Sequence, residues 1–250
     1  MFPIGDENEP GHGLAWVTVT LIGINVAVFV LLQGLGAENA FTTGFSAVPR
    51  EITTGQDLIS PQPITVAGQE YLVPQAPGPF PIQLTLLTSM FMHAGWLHLA
   101  GNMLFLWVFG DNVEHRAGAI LFVAVYLGTG LVGSLAQIWS DATSPIPSLG
   151  ASGAISGILG AYLVLFPRNR VTVFIFRFVT QVPALAAIGL WIVFQLINGL
   201  GAAVISSETV GGVAYLAHIG GFAAGLVAGF LLRADAVRDA TRVVALRRPR

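Results

Sequence analysis

Few side chains in this sequence combine reactivity with an apolar setting, and they fall in three places. The first is Ser152, within Ser148-Leu149-Gly150-Ala151-Ser152-Gly153-Ala154-Ile155-Ser156-Gly157-Ile158-Leu159-Gly160. A serine at the start of a helix lies among backbone N–H groups that have no helical partner, where the helix dipole favours negative charge. Such a place suits a nucleophile whose reaction develops an oxyanion. The second is His218, within Ala217-His218-Ile219-Gly220-Gly221-Phe222-Ala223-Ala224-Gly225. A neutral imidazole can take the serine proton and return it to a leaving amine. The third is the pair His98 and Asn102, spaced i, i+4 and so on one helix face. Two donors there can complete an oxyanion hole with the Ser152 backbone N–H.

Each of these has a plainer reading. Gly153, Gly157 and Gly160 lie at helical spacing and let a neighbouring helix approach closely, so the serine region also reads as a packing surface. The hydrolase pattern G-x-S-x-G is broken by Ala154. His98 and Asn102 also read as interhelical hydrogen-bond glue, and His218 as a core histidine bonded to a backbone carbonyl. A metal site on His93, His98 and His218 is disfavoured, because no carboxylate or cysteine stands near to complete it. The other polar side chains within apolar runs are Asn25, Ser156, Gln195 and Asn198, and no Asp or Glu stands in the middle of any such run. A Ser-His-Asp triad would need such an acid. The chemistry left open is therefore a two-residue one, with no metal or cofactor expected.

The elements that must position these residues follow from composition. The chain has 250 residues, 54% of them hydrophobic and 10% charged, with a mean hydropathy of +0.74. An ordinary soluble domain carries about 25% charged residues, so a water-exposed globule, a disordered chain and a nucleic-acid binder are all disfavoured. A polytopic membrane protein fits. Cysteine is absent, which excludes disulfides, thiolate metal sites and a cysteine nucleophile. A span needs about 20 apolar residues, and six segments qualify at 15–35, 90–110, 117–139, 150–166, 178–201 and 212–232. The fourth is short, which predicts burial among the others. The segment 171–176, cut off by Arg177, reads as an interfacial lead-in to the fifth span. Residues 1–14 form a short N-terminal segment whose acids Asp6, Glu7 and Glu9 do not suit a signal peptide.

Arginine supplies every basic residue, and its placement sets orientation. Arg116, Arg168, Arg170, Arg177, Arg233, Arg238, Arg242, Arg247, Arg248 and Arg250 all fall on the side of the N-terminus when six spans are threaded; only Arg50 is opposite. Both ends are thus expected in the cytoplasm. The opposite side receives the long first loop 36–84 and the loops 140–149 and 202–211. The first loop reads either as a disordered linker or as an element packed on the membrane surface, with Phe41–Phe45 and Phe80–Ile82 as interfacial candidates. The tail 233–250 is basic, with Val237, Val243, Val244 and Leu246 at amphipathic spacing; it reads as a topology anchor, or as a helix on anionic lipid. No internal repeat is evident, which disfavours a transporter. In the sixth span, Gly221, Gly225 and Gly229 make a smooth stripe suited to the glycines of the fourth. His218 shares that face, roughly 9 Å below the outer end, at a depth Ser152 can match.

Taken in order, these motifs resemble the rhomboid family of intramembrane serine proteases. The resemblance covers Leu84 to Leu232. It rests on His93, His98 and Asn102 in the second span, Gly110 through Glu114 at its inner end, Gly150-Ala151-Ser152-Gly153 opening the fourth, and Ala217-His218 with Gly221 and Gly225 in the sixth. It implies an all-α, six-transmembrane-helix rhomboid-like bundle over 15–232 with a long first extracytoplasmic loop. Ser152 would be the nucleophile and His218 the general base of a dyad. His98, Asn102 and the Ser152 N–H would form the oxyanion hole, with Gly150, Gly153, Gly221 and Gly225 in support. Glu114 would bond loop backbone on the cytoplasmic side. The implied partners are transmembrane protein substrates in the lipid bilayer, cut near the extracytoplasmic face. The fifth span and the loop 202–211 would gate and cap the site. The expected location is a prokaryotic plasma membrane, and oligomeric state is not readable. Many members carry an aromatic residue, stacked on the histidine, at the position held here by Ser156. Either another side chain orients His218, or Ser156 does so by hydrogen bond. The alternatives are an inactive relative that binds transmembrane segments, or a small transporter or channel.

Overall fold

The computed structural model describes residues 2–7, 13–66, 68–205 and 214–246, with side chains described except at 200–205 and 235–246. The chain opens with strand β1 (Phe2–Asp6) and helix α1 (Trp16–Ala27), which a π-helical turn carries on through Leu32. Short helices α2 (Ala40–Phe45) and α3 (Pro49–Thr54), a hairpin of β2 (Gln62–Val66) and β3 (Gln69–Val73), and the single turn α4 (Thr85–Thr88) follow. Next come α5 (Trp96–Ala117), α6 (Ala119–Ser140) and α7 (Ser152–Leu165). Strands β4 (Arg170–Ile175) and β5 (Phe178–Pro183) precede α8 (Ala184–Ile205) and α9 (Tyr215–Leu246). Apart from two small sheets, the regular structure of the described residues is helical, as in a multi-span membrane fold.

Helix α7 is the centre. Eleven of its fourteen residues are buried, and it packs against α5, α6 and above all α9. Helices α6 (Ala119–Ser140) and α9 (over Tyr215–Ala234) are long and apolar enough to cross a membrane, and only 33% and 22% of those windows is buried. They therefore turn most of their apolar surface outward, unlike core helices of a soluble protein. Trp16–Leu32, Ser152–Leu165 and Ala184–Gly199 are apolar but shorter. Outward-facing Ile120, Leu121, Trp139, Leu190, Phe194, Phe230 and Leu231 suit hydrocarbon rather than water.

Four expectations change in detail. The second span begins at Trp96 rather than near residue 90, and its helix continues to Ala117, so Asp111 and Glu114 lie within its last turns. The segment 171–176 is no mere lead-in. Residues 170–175 and 178–183 pair as an antiparallel hairpin, turned at Phe176 with φ +55°, so α8 starts at Ala184 rather than at 178. β1 adds to this hairpin to complete a three-stranded sheet in the order β1-β4-β5. Third, the first loop is ordered rather than a bare linker. Ala47 and Ser148 exchange backbone hydrogen bonds, the Arg50 N–H donates to the Ser144 carbonyl, and Gln75 Nε2 donates to the Pro145 carbonyl. This loop thereby fixes the segment that leads into Ser152. Of its interfacial candidates, Phe80 is almost wholly exposed whereas Ile82 is buried. Finally, Glu114 bonds not a loop but the first turn of α1, accepting from the Val17 N–H at 2.9 Å, the Thr18 N–H at 2.7 Å and Thr18 Oγ1 at 2.8 Å. α1 has no side-chain cap of its own at Ala15. The carboxylate from α5 supplies that cap, where unpaired N–H groups and the helix dipole favour an anion.

The expected cap loop at 202–211 falls largely outside the described residues. So do residues 247–250 and the side chains of the tail, including Val237, Val243, Val244 and Leu246.

Candidate active site

Ser152 is the first residue of α7. The turn into it is set by Gly150, whose φ of +134° falls where side chains are rarely accommodated. A Cβ there would also come within 2.9 Å of the His98 ring, so glycine is required twice over. The Gly150 N–H donates to the Ser89 carbonyl. Ser152 Oγ lies 2.7 Å from His218 Nε2, a hydrogen bond between the start of α7 and the first turn of α9. The two helices meet at backbone distance. A Cβ on Gly221 would lie 2.1 Å from the Gly153 carbonyl oxygen, and one on Gly225 would lie 2.0 Å from that of Gly157. Gly160 likewise abuts the Phe222 carbonyl, 2.4 Å from where its Cβ would be. Gly153 differs, since a methyl there would make only an ordinary 3.6 Å contact with the Ala217 carbonyl. Packing gives no reason for glycine at that position.

His98 and Asn102 stand on α5, which packs against α7. The Ala94 N–H donates to His98 Nδ1 at 3.2 Å. In the neutral ring that leaves the proton on Nε2, and a Cβ on Gly150 would lie 3.0 Å from that nitrogen and 3.6 Å from Ser152 Oγ. His98 thus presents a donor at the turn that leads into Ser152. Asn102 is buried, and its Nδ2 has no protein partner. A buried amide N–H₂ left open is costly and is free to donate to a transient anion. His93 is fully buried with its ring edge-on to His98, centroids 5.1 Å apart. Its backbone N–H and C=O are clamped by the Gln33 side chain at 2.8 and 3.0 Å, which anchors the approach to α5.

Ser156 does not orient His218. Its hydroxyl donates to the Ser152 carbonyl at 2.5 Å, within its own helix. The group on His218 Nδ1 is Gln195 of α8, with Oε1 at 2.8 Å. Trp191 and Tyr215 flank the imidazole at centroid distances of 5.9 and 6.5 Å. Sequence reading marked Gln195 as a polar residue within an apolar run but gave it no role. Its signal was that polarity alone, since Asn25 and Asn198 share it and simply bond carbonyls four residues back in their own helices.

The arrangement brings together a hydroxyl and an imidazole able to accept its proton, with the His98 ring against the Gly150 turn that leads into α7. Glu114 lies at the far end of α5, outside this cluster.

Comparison with known proteins identifies the family. Residues 83–235, more than half the chain, match the family model described as Rhomboid domain. The chain is 33% identical over 154 residues to Rhomboid protein 1, mitochondrial, of Saccharomyces cerevisiae, covering 60% of this chain and 42% of that protein. It is 40% identical over 144 residues to Rhomboid protease GluP of Bacillus subtilis, covering 57% and 25% respectively. RHOMBOID-like protein 5 of Arabidopsis thaliana is 35% identical over 147 residues, 59% of this chain and 43% of the relative. The match thus spans less than half the length of each of these relatives. Set on the apolar helices and the architecture around α7, it makes the chain an integral membrane protein that belongs to the rhomboid family.

Proposed function

We propose that this protein is an intramembrane serine endopeptidase that cleaves transmembrane helices near their extracytoplasmic end. The observation that carries the reading is the 2.7 Å contact between Ser152 Oγ and His218 Nε2 at the N-terminus of a buried helix. Ser152 Oγ attacks the scissile carbonyl carbon as its proton passes to His218 Nε2. The oxyanion is received by the Ser152 N–H, His98 Nε2–H and Asn102 Nδ2, each donor being worth about 10²–10³ in rate. The C–N bond then breaks, and the imidazolium gives its proton to the leaving amine. Water then attacks the acyl carbon as its proton passes to the same nitrogen, and the acyl C–Oγ bond breaks with that proton returned to Ser152 Oγ.

In this reading the six apolar helical segments are spans, with both ends in the cytoplasm as the arginines direct. The first loop and the 140–149 segment lie on the opposite face, over the dyad. A prokaryotic plasma membrane is the proposed location, and single-span membrane proteins are the proposed substrates. No cofactor enters the mechanism.

The test is covalent labelling by a fluorophosphonate, read by peptide mass spectrometry. The expected adduct is on Ser152, formed slowly because the dyad is recessed, and absent in His218→Ala. An adduct elsewhere with Ser152 unmodified contradicts the assignment.

A further inference from the structure

Gln195 is buried, 6% exposed, on a helix whose other inward positions among the described residues are apolar or glycine: Ala184, Ala187, Ile188 and Gly199. Leu190, Phe194 and Ile197 of the same helix face outward. A buried amide on such a face costs stability unless it is paired, and its Oε1 is paired with His218 Nδ1 at 2.8 Å. The Ser156 hydroxyl is committed to the Ser152 carbonyl, so it gives His218 nothing.

We infer that Gln195 is the positioning residue of the dyad: its amide oxygen accepts the Nδ1–H of His218 and so keeps Nε2 unprotonated and aimed at Ser152. This rests on the protease reading for its catalytic consequence, though not for the tautomer itself. A neutral imidazole carries one proton, and its two nitrogens cannot both accept. With Nδ1–H committed to an oxygen, Nε2 must accept from Ser152 Oγ–H, the only productive direction for a base. When Nε2 takes that proton, the Nδ1–H bond to the amide strengthens as a charge-assisted one. A carboxylate would hold the ring equally well, but a permanent buried charge in an apolar bundle carries a large desolvation cost. An amide orients without that charge. The device occupies the place that an acid fills in a three-residue relay, on the helix adjoining the base rather than on the helix of the nucleophile.

The other ionisable groups around His218 are few. His98 on α5 interacts with it electrostatically, and Tyr215 on α9 lies edge-on. α6 and α7 offer only Tyr126 and Tyr162, and α8 has none. A carboxylate introduced at position 195 would therefore dominate the local field.

Two measurements test the inference on full-length protein in lipid or detergent. ¹⁵N-histidine NMR, with His218 assigned by difference against His218→Ala, is expected to show the Nδ1–H tautomer at neutral pH. An Nε2–H tautomer overturns the inference whatever the activity. In reporter cleavage, Gln195→Leu is expected to lower kcat about 100-fold with KM unchanged and the thermal midpoint retained. Gln195→Glu is expected to stay within about tenfold of wild type and to move the acidic limb of the pH–rate profile up by about one unit. Wild-type kcat in Gln195→Leu, or equal losses in both variants with an unmoved profile, overturns it. A wild-type protein with the Nδ1–H tautomer that cuts no reporter sinks the protease reading and leaves the tautomer assignment standing.

Discussion

At the scale of single residues, the proposed mechanism relies on donors and one acceptor in an apolar bundle that would otherwise offer none. Asn102 is the clearest case, because its Nδ2 is buried without a protein partner and in the proposed mechanism gains one when an oxyanion forms. Asn102→Ala is expected to cut turnover about 100-fold without abolishing it, since other donors remain; steady-state cleavage kinetics with KM little changed is the check, and an unchanged kcat removes Asn102 from the oxyanion hole. The pairing of Ser152 with His218 was legible in the sequence, and His98 and Asn102 stood out beside them, because reactive side chains are rare in apolar runs and helical spacing places them on faces. Gln195 was visible as a polar residue, but its partner was not. Which side chain meets His218 depends on the rotation of α8 against α9, and long-range packing sets that rotation.

At the scale of elements, the contact between α7 and α9 decides whether the hydroxyl and the imidazole meet. The carbonyl oxygens of Gly153 and Gly157 sit where side chains at Gly221 and Gly225 would begin. Gly221→Ala and Gly225→Ala must each push the helices apart, a clash against backbone that rotamer changes cannot relieve. Both are expected to lower thermal stability by about 1–3 kcal/mol and to remove activity. Gly153→Ala, with room for its methyl, is expected to fold at a near wild-type thermal midpoint. Thermal unfolding followed by circular dichroism separates the three, and equal loss in all would contradict the packing described. The glycine stripe was readable from its period of four, whereas its asymmetry was not, because space at a methyl depends on the neighbouring backbone. The hairpin β4–β5 was misread as apolar lead-in for a similar reason. Val171, Val173, Phe174, Ile175, Val179 and Val182 are as hydrophobic as a span and as β-prone as a strand. Their pairing with one another and with β1, more than 160 positions upstream in Phe2↔Phe174, is information that no local window holds.

At the scale of the whole molecule, two ends of the bundle do different work. One end carries the dyad beneath the first loop, and the other is held by β1 and Glu114. Asp6 at the end of β1 accepts from Tyr162 Oη at 2.5 Å and from Asn112 Nδ2 at 2.7 Å, both to its Oδ2. Burial, aided by the nearby acids Asp111 and Glu7, raises its carboxyl to about 6 from an ordinary 3.8. The protonated form is therefore the one the folded state favours. Its stabilising contribution is complete below about pH 4 and is lost as pH rises through about 6. Hydrogen exchange of the β1 amides, corrected for intrinsic rate, is expected to show more protection at pH 5 than at pH 7.5. Asp6→Asn, which keeps an accepting oxygen, is expected to remove most of that difference; an undiminished difference in the variant contradicts the clasp. Composition alone pointed to a membrane protein, and the absence of mid-span acids pointed to a hydroxyl and an imidazole as the chemistry to look for. The geometry sharpens this to Ser152 and His218 at hydrogen-bond distance, with an amide behind the base. The most direct test is cleavage of a single-span reporter co-reconstituted in liposomes with wild type, Ser152→Ala and His218→Ala. Wild type is expected to cut the reporter near its extracytoplasmic end, and each variant, folded to the same thermal midpoint, to cut nothing detectable. Cleavage by Ser152→Ala at the wild-type rate would contradict the account.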